Sequence, residues 1–279
     1  MSLFIASINS GSNGNCYYVG TATDAILVDA GISCRETEMR MKRIGLSMHS
    51  VRAIFVSHEH TDHIRGVAQI SRKYQLPVYI TPATMHHSRL HIDSHLVKSF
   101  TGFQAINIGA LSVTAFPKFH DAIDPHSFIV AGAGTTIGVF TDIGTTCQHL
   151  ISHFKMCHAA FLEANYDDDM LQNGKYPHHL KKRISGDKGH LSNFQALTLF
   201  MEHRPPFMTH LILSHLSKDN NHPDIALKLF SNVAGSTEIV VASRYEETAV
   251  YEIIGSLRLS VPKPKKVHHA PKAVQISLF

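Results

Sequence analysis

The stretch Val51-Arg52-Ala53-Ile54-Phe55-Val56-Ser57-His58-Glu59-His60-Thr61-Asp62-His63 decides how this chain is read. Its first half is a nearly continuous apolar run, the pattern of a strand buried on both faces. Its second half sets four chemically able side chains where that strand gives way to a helix expected over Ile64 to Tyr74. Two histidines one residue apart, His58 and His60, can aim at one ion from a turn. Adjacent Asp62 and His63 would aim at a second point close by. Imidazole nitrogen and carboxylate oxygen suit zinc, manganese or iron. The bland alternative is a polar turn of unrelated residues, and such a spacing seldom arises that way.

Outward from this stretch the chain alternates strands and helices. Strands are expected at 3–8 and 16–19 around the turn Ser10-Gly11-Ser12-Asn13-Gly14-Asn15, and at Ala25 to Gly31. A helix runs from a Ser33 cap to Gly45. Strands follow at Pro77 to Ile80 and dominate 104–141. Helices are expected near 145–156, 193–203 and 223–233, with strands near 210–213 and 238–241. This order predicts an α+β sandwich of two stacked mixed sheets flanked by helices. It fills residues 1–258, and 259–279 form a basic Pro/Lys-rich tail.

The bulk numbers bound the function classes. The chain has 279 residues, 44% of them hydrophobic, which is enough for one large core. Apolar runs are too short for a membrane span, and the start lacks the pattern of a signal peptide. Cys16, Cys34, Cys147 and Cys157 form no CxxC pair and read as reduced thiols, so the expected compartment is cytoplasmic. The net charge of +4 mildly favours a polyanionic partner. There are 22 histidines and no tryptophan, and it is the spacing of the histidines that carries information.

The HxHxDH turn after a hydrophobic strand resembles the signature of the metallo-β-lactamase superfamily. The remaining ligands of that pattern have counterparts in order. His120 follows a strand in Phe119-His120-Asp121-Ala122, Asp142 follows another in Val139-Phe140-Thr141-Asp142-Ile143-Gly144, and His215 a third in Leu211-Ile212-Leu213-Ser214-His215-Leu216-Ser217. The resemblance implies two divalent metal ions. His58, His60 and His120 would hold one, Asp62, His63 and His215 the other, and Asp142 would bridge them. Two such cations clamp the attacking and leaving oxygens of a displacement and acidify the water between them. Asp62 would orient that water or take its proton.

Which hydrolase this is depends on other segments, because the superfamily spans many chemistries. A carboxylate at the bridging position matches phosphodiesterase and thioesterase branches and disfavours the zinc β-lactamases with cysteine there. Gly186-Asp187-Lys188-Gly189-His190-Leu191-Ser192-Asn193 resembles the additional histidine motif of tRNA-3′-processing endonucleases and related phosphodiesterases. In that comparison His190 contacts the scissile phosphate and protonates the leaving oxygen. Ser192 or Asn193 caps the following helix, whose N-terminus favours an anion. Lys175, Lys181, Lys182, Arg183 and Lys188 form a basic loop suited to a nucleic-acid backbone, or simply a solvated one. Lys181, Lys182, Arg183, Lys188, Ser192 and Asn193 are thus the expected substrate-binding residues.

Several separate segments resemble the YycJ/WalJ-like group of bacterial exonucleases, related to RNase Z and PhnP-type phosphodiesterases. These are Ser10 to Tyr18, Asp29-Ala30-Gly31-Ile32-Ser33-Cys34, His120-Asp121-Ala122 with Pro125, Gly189 to Asn193, and Leu213 to Asn221. The resemblance covers about residues 3–250. It implies a DNA exonuclease of 5′ to 3′ polarity acting in repair or replication. No segment is identified as a pocket for a terminal phosphate. The interval 143–214 is too short for the inserted β-CASP domain of larger RNA-cleaving members. Gln275-Ile276-Ser277-Leu278-Phe279 resembles the peptide by which bacterial replication and repair proteins dock on the sliding clamp, with Gln275, Leu278 and Phe279 as contacts. A small-molecule or cyclic-phosphate phosphodiesterase and a thioesterase or glyoxalase-like hydrolase stay open as alternatives. Ile64-Arg65-Gly66 does not separate them.

Overall fold

The computed structural model describes residues 2–255, so the expected tail at 259–279, with the clamp peptide at Gln275, Leu278 and Phe279, lies outside the described residues. Two seven-stranded sheets stack face to face. The first is built from β1 (Ser2–Asn9), β2 (Cys16–Gly20), β3 (Ala25–Val28), β4 (Val51–Phe55), β5 (Val78–Tyr79) and β6 (Val97–Lys98). The second comprises β7 (Ala105–Ile108), β8 (Leu111–Pro117), β9 (His126–Gly132), β10 (Thr135–Phe140), β11 (Ala159–Glu163), β12 (His210–Ser214) and β13 (Glu238–Val241). The chain then returns to the first sheet, where β14 (Tyr251–Ile254) pairs antiparallel with β1. Each sheet has an antiparallel half and a parallel half, β3 to β6 in one and β10 to β13 in the other.

The helices are α1 (Cys34–Arg43), α2 (Thr61–Ile64), α3 (Val67–Tyr74), α4 (Pro82–Ser88), α5 (Gln148–Phe154), α6 (Asp168–Asn173), α7 (His178–Ile184), α8 (Asn193–His203) and α9 (Pro223–Ser231). Three apolar clusters hold the layers together. Tyr17, Phe55, Phe128 and Phe161 fill the space between the sheets. Phe140, Phe154, Phe200 and Phe230 seal the second sheet under α5, α8 and α9. Leu27, Met41, Ile54, Val67 and Ile70 seal the first under α1 and α3. This is the layered α/β/β/α sandwich the sequence predicts: β4 is buried at Ala53, Ile54 and Phe55 because both of its faces are covered.

Two expected elements differ. The helix expected over Ile64 to Tyr74 is split into α2 and α3 at Arg65-Gly66. Gly66 donates its N–H to the Ala30 carbonyl at 2.7 Å, and a Cβ there would meet the Ile32 carbonyl at 2.1 Å. Close backbone approach, and not helical propensity, sets that break. The basic loop, in turn, is mostly helix: Lys181, Lys182 and Arg183 sit on α7, which buries none of its residues and so shows no apolar periodicity.

Candidate metal centre and active site

The parallel strands of both sheets deliver their C-terminal ends to one edge, the usual site of chemistry in α/β sheets. His58 and His60 follow β4, His120 follows β8, Asp142 follows β10 and His215 follows β12. Asp142 and His215 have φ of 54° and 55°, and Asp29, just past β3, has φ of 60°. Side-chain-bearing residues rarely occupy this left-handed region; each costs on the order of 1–3 kcal/mol and persists only where its surroundings enforce it. All three face the same cluster of imidazoles and carboxylates.

The seven expected ligands converge. His58 Nε2 and His120 Nε2 lie 3.1 and 3.4 Å from His60 Nδ1. Asp62 Oδ2 is 3.5 Å from both His63 Nε2 and His215 Nε2. Asp142 Oδ2 is 3.0 Å from His63 Nε2, and its other oxygen is 3.7 Å from His120 Nε2. His58, His63, His120, Asp142 and His215 are buried, whereas Asp62 keeps a side-chain exposure of 20%.

The ring tautomers are set from behind. His63 Nδ1 contacts Asp29 Oδ2 at 2.7 Å, and His58 Nδ1 contacts Ser57 Oγ at 2.8 Å, whose hydroxyl donates to the same Asp29 oxygen. His120 Nδ1 donates to the Gly189 carbonyl at 3.1 Å, and His215 Nδ1 lies 3.0 Å from Glu163 Oε1. In all four rings Nε2 is therefore the nitrogen turned toward the cluster, as supporting carboxylates and carbonyls arrange in metal sites. Asp29 and Glu163 were not among the expected site residues. Each is a single carboxylate just past or at the end of a buried strand, and that position is the one signal that could have marked it.

The donor set fits divalent cations. His215 Nε2 and Asp142 Oδ2 are buried without a hydrogen bond, although Oδ2 lies close to His63. Buried polar atoms of that kind call for a partner. Among the described residues, His58, His60 and His120 form one group able to hold an ion, and Asp62, His63 and His215 another. The electrostatics agree. Burial, joined by His63 and Lys118, pushes His58 well below its ordinary pKa, so its ring is neutral and able to ligate. Burial alone would also lower His63 and His215, but Asp142 and the neighbouring carboxylates outweigh it and raise both, His215 to about 10. Beneath it, buried Lys118 donates to the Thr141 carbonyl at 2.7 Å and ties the end of β8 to the residue before Asp142.

His190 stands at the rim with a side-chain exposure of 21%. Its Nδ1 lies 2.8 Å from Glu163 Oε1, which also serves His215, so one buried carboxylate orients both rings. A cavity of about 480 Å³ opens over the cluster and is lined by Asp62, His120, Asp142, Arg183, His190 and His215, among others. Arg183 reaches it from α7, with Nε donating to Asp121 Oδ2 at 2.6 Å. Lys181 and Lys182 line a separate cavity between α6 and α7, and Lys181 donates to the Gln172 carbonyl. Lys188 lies on the turn before His190. Ser192 caps α8 in a capping box with Gln195. Asn193 bonds to Asn221, and both Ser192 and Asn193 are buried, so their polar groups are spent inside the fold and not turned to a substrate. No helix among the described residues is long and apolar enough to cross a membrane.

Comparison with known proteins identifies the family. The family described as beta-lactamase superfamily domain matches residues 24–215. The chain is 34% identical over 249 residues to exodeoxyribonuclease YycJ of Bacillus anthracis, covering 88% of this chain and 94% of that one. It is 30% identical over 237 residues to exodeoxyribonuclease WalJ of Streptococcus pneumoniae, covering 83% and 88%. The metallo-beta-lactamase fold protein YhfI from Bacillus subtilis superposes with a TM-score of 0.71 at 18% identity, over 90% of this chain and 100% of that one. The match over most of the chain, on a scaffold whose strand ends gather His58, His60, Asp62, His63, His120, Asp142 and His215, means that this chain belongs to the metallo-β-lactamase superfamily of metal-dependent hydrolases, in its YycJ/WalJ-like group.

Proposed function

We propose that the chain is a dinuclear metal-dependent exodeoxyribonuclease that shortens DNA from 5′ ends during repair or replication. The observation that carries this reading is His190 at the mouth of the ligand cluster, with Nδ1 fixed by buried Glu163. A group so placed suits a phosphodiester, whose leaving oxygen needs a proton. The names of the two curated relatives supply the deoxyribonucleic substrate.

His58, His60 and His120 would hold one ion, and Asp62, His63 and His215 the other, with Asp142 between them. Zinc, manganese and iron all suit these donors. Such ions polarise a phosphoryl oxygen and acidify the attacking water. The remaining work falls to the chain. Asp62, the most exposed carboxylate of the set, orients the attacking water and accepts its proton. Glu163 accepts the Nδ1 proton of His190 and sets a carboxylate against the imidazolium, the doubly protonated form whose Nε2–H supplies the proton for the leaving oxygen. Arg183, aligned by Asp121, offers its remaining guanidinium donors to a backbone phosphate. Lys181, Lys182 and Lys188 widen the positive approach. The Pro/Lys-rich tail would bring the enzyme to DNA through the sliding clamp at Gln275, Leu278 and Phe279.

An exonuclease requires ends, which gives a simple test. With manganese or zinc, the wild-type protein should degrade linearised plasmid and leave covalently closed circles intact, and Asp62→Ala should leave both forms intact. Nicking of closed circles would replace the exonuclease reading with an endonuclease. Inert DNA combined with turnover of a cyclic phosphate or a thioester would move the site to the other branches.

A further inference from the structure

A second cavity, of about 510 Å³, adjoins the metal centre, a volume within the range of single small-ligand sites. Neighbouring residues line the two cavities. Ser10 lines the second cavity and accepts the backbone N–H of His215 at 2.7 Å, while Ser12 lines the cavity over the metal ligands. Leu216, Ser217 and Lys218 continue directly from His215 into the cavity lining. The lining holds two cations, Lys218 and Arg244, and one carboxylate, Glu246, and Tyr245 adds an aromatic ring.

The segment carrying Arg244 and Tyr245 belongs to no helix or strand, yet its backbone is pinned. Buried Arg40 donates to the Tyr245 carbonyl at 2.8 Å, Asn13 donates to the Arg244 carbonyl at 2.9 Å, and Arg43 makes a two-point pair with Glu247. Arg244 in turn donates from Nη2 to the Leu216 carbonyl at 2.8 Å. Against this fixed frame the Tyr245 side chain does no packing work, being 73% exposed. A rigid backbone presenting a solvent-facing aromatic ring beside two cations is an arrangement that stacks a base and pairs a phosphate.

We propose that this cavity binds a nucleoside monophosphate unit, with the phosphate between Lys218 and Arg244 and the base against Tyr245. The unit is either the terminal nucleotide of a strand whose next phosphodiester lies at the metal centre, or the free mononucleotide after cleavage. This rests on the nuclease reading for its biological meaning but not for its binding chemistry. It would give the site the end-recognition element that the sequence does not reveal.

Two variants outside the packed frame test it: Lys218→Ala and Tyr245→Ala, with Tyr245→Phe as the conservative control. Binding of thymidine 5′-monophosphate to the full chain is measured by calorimetry, beside thymidine and inorganic phosphate. The expected result is binding of the monophosphate at least about tenfold tighter than either fragment. Both alanine variants should weaken it by about tenfold, and Tyr245→Phe should keep it, as the worth of one stacked base or one charged contact suggests. On DNA, the alanine variants should raise KM by a similar factor on 5′-phosphorylated ends. Turnover of bis(p-nitrophenyl) phosphate, too small to span both cavities, should stay unchanged. Equal KM effects on 5′-phosphate and 5′-hydroxyl ends, with monophosphate binding still lost, assign the cavity to the released nucleotide. Monophosphate binding that is absent, or untouched by both alanine variants, overturns the proposal. A wild type that binds the monophosphate here but leaves DNA intact removes the nuclease reading and keeps the cavity.

Discussion

The floor and the rim of the active-site cavity are built on opposite terms. On the floor, four buried histidines each have Nδ1 engaged by a hydroxyl, carboxylate or carbonyl, and three residues at strand ends hold positive φ to face one another. On the rim, Arg183 is 62% exposed and rests on one ion pair with Asp121, and α7 buries nothing. The floor is over-determined and defines a metal hydrolase. The rim is loosely held, and in the proposed function it is the part that meets the substrate. His190 belongs to both, because it is solvent-facing on one side and tied to floor carboxylate Glu163 on the other.

Substitutions should grade along this division. Asp142→Ala is expected to have the largest effect. Changes to residues that merely support ligands cost roughly 10–100-fold, and removing the central carboxylate should exceed that, lowering turnover by about 10³-fold or more. Metal analysis of the purified variant should show the loss of bound ion; full metal content with full activity would mean that Asp142 is not a ligand.

His190→Ala should lower kcat by roughly 10²–10³-fold while leaving metal content intact, the signature of a lost proton donor. Glu163→Gln should reproduce part of that fall and also weaken metal binding, since the same carboxylate orients His215. If His190→Ala also strips the metal, this residue belongs to the floor alone.

The floor also predicts a pH effect. Burial opposes protonation of His215, but Asp142, Asp62 and Glu163 prevail and raise it to about 10. Metal uptake near neutral pH must therefore expel protons, and affinity should rise with pH. Calorimetric titration of zinc in buffers of different ionisation enthalpy measures that release directly. The sign for stability follows from the same shift. A raised histidine stabilises the metal-free protein fully below its unfolded value of about 6.5, and that contribution is lost as pH climbs toward about 10. Metal-stripped protein should accordingly melt lower at about pH 9 than at about pH 7, and metal-loaded protein should show less of this change.

At the rim, Arg183→Ala should act most weakly: a few-fold rise in KM for DNA and a salt dependence shallower by about one charge, with kcat nearly kept. A large fall in kcat would place Arg183 in the reaction itself.

The same division explains what the sequence reveals. His58, His60, Asp62 and His63 are legible because four ligands fall within one turn after an apolar run. His120, Asp142 and His215 are legible because each follows a strand in the expected order. Asp29 and Glu163 are not, because a lone carboxylate at a strand end looks like any solvated turn residue until the fold turns it inward. Ser192 announces a helix cap and is one, but its burial shows only once α8 packs. Lys181 to Arg183 are read as a loop because a helix with no buried face carries no period. The sandwich itself is legible in the alternation of strands and helices, while the break between α2 and α3 depends on the contact of Gly66 with Ala30 and Ile32, a non-local constraint.

The most direct test of the central claim is the fate of duplex DNA labelled at the 5′ or the 3′ end, incubated with manganese or zinc. Release of labelled mononucleotide at once from 5′-labelled ends, with late release from 3′-labelled ends, abolished by Asp62→Ala and slowed by His190→Ala, is the predicted result. Undegraded DNA under every metal, or degradation that Asp62→Ala leaves intact, would contradict it.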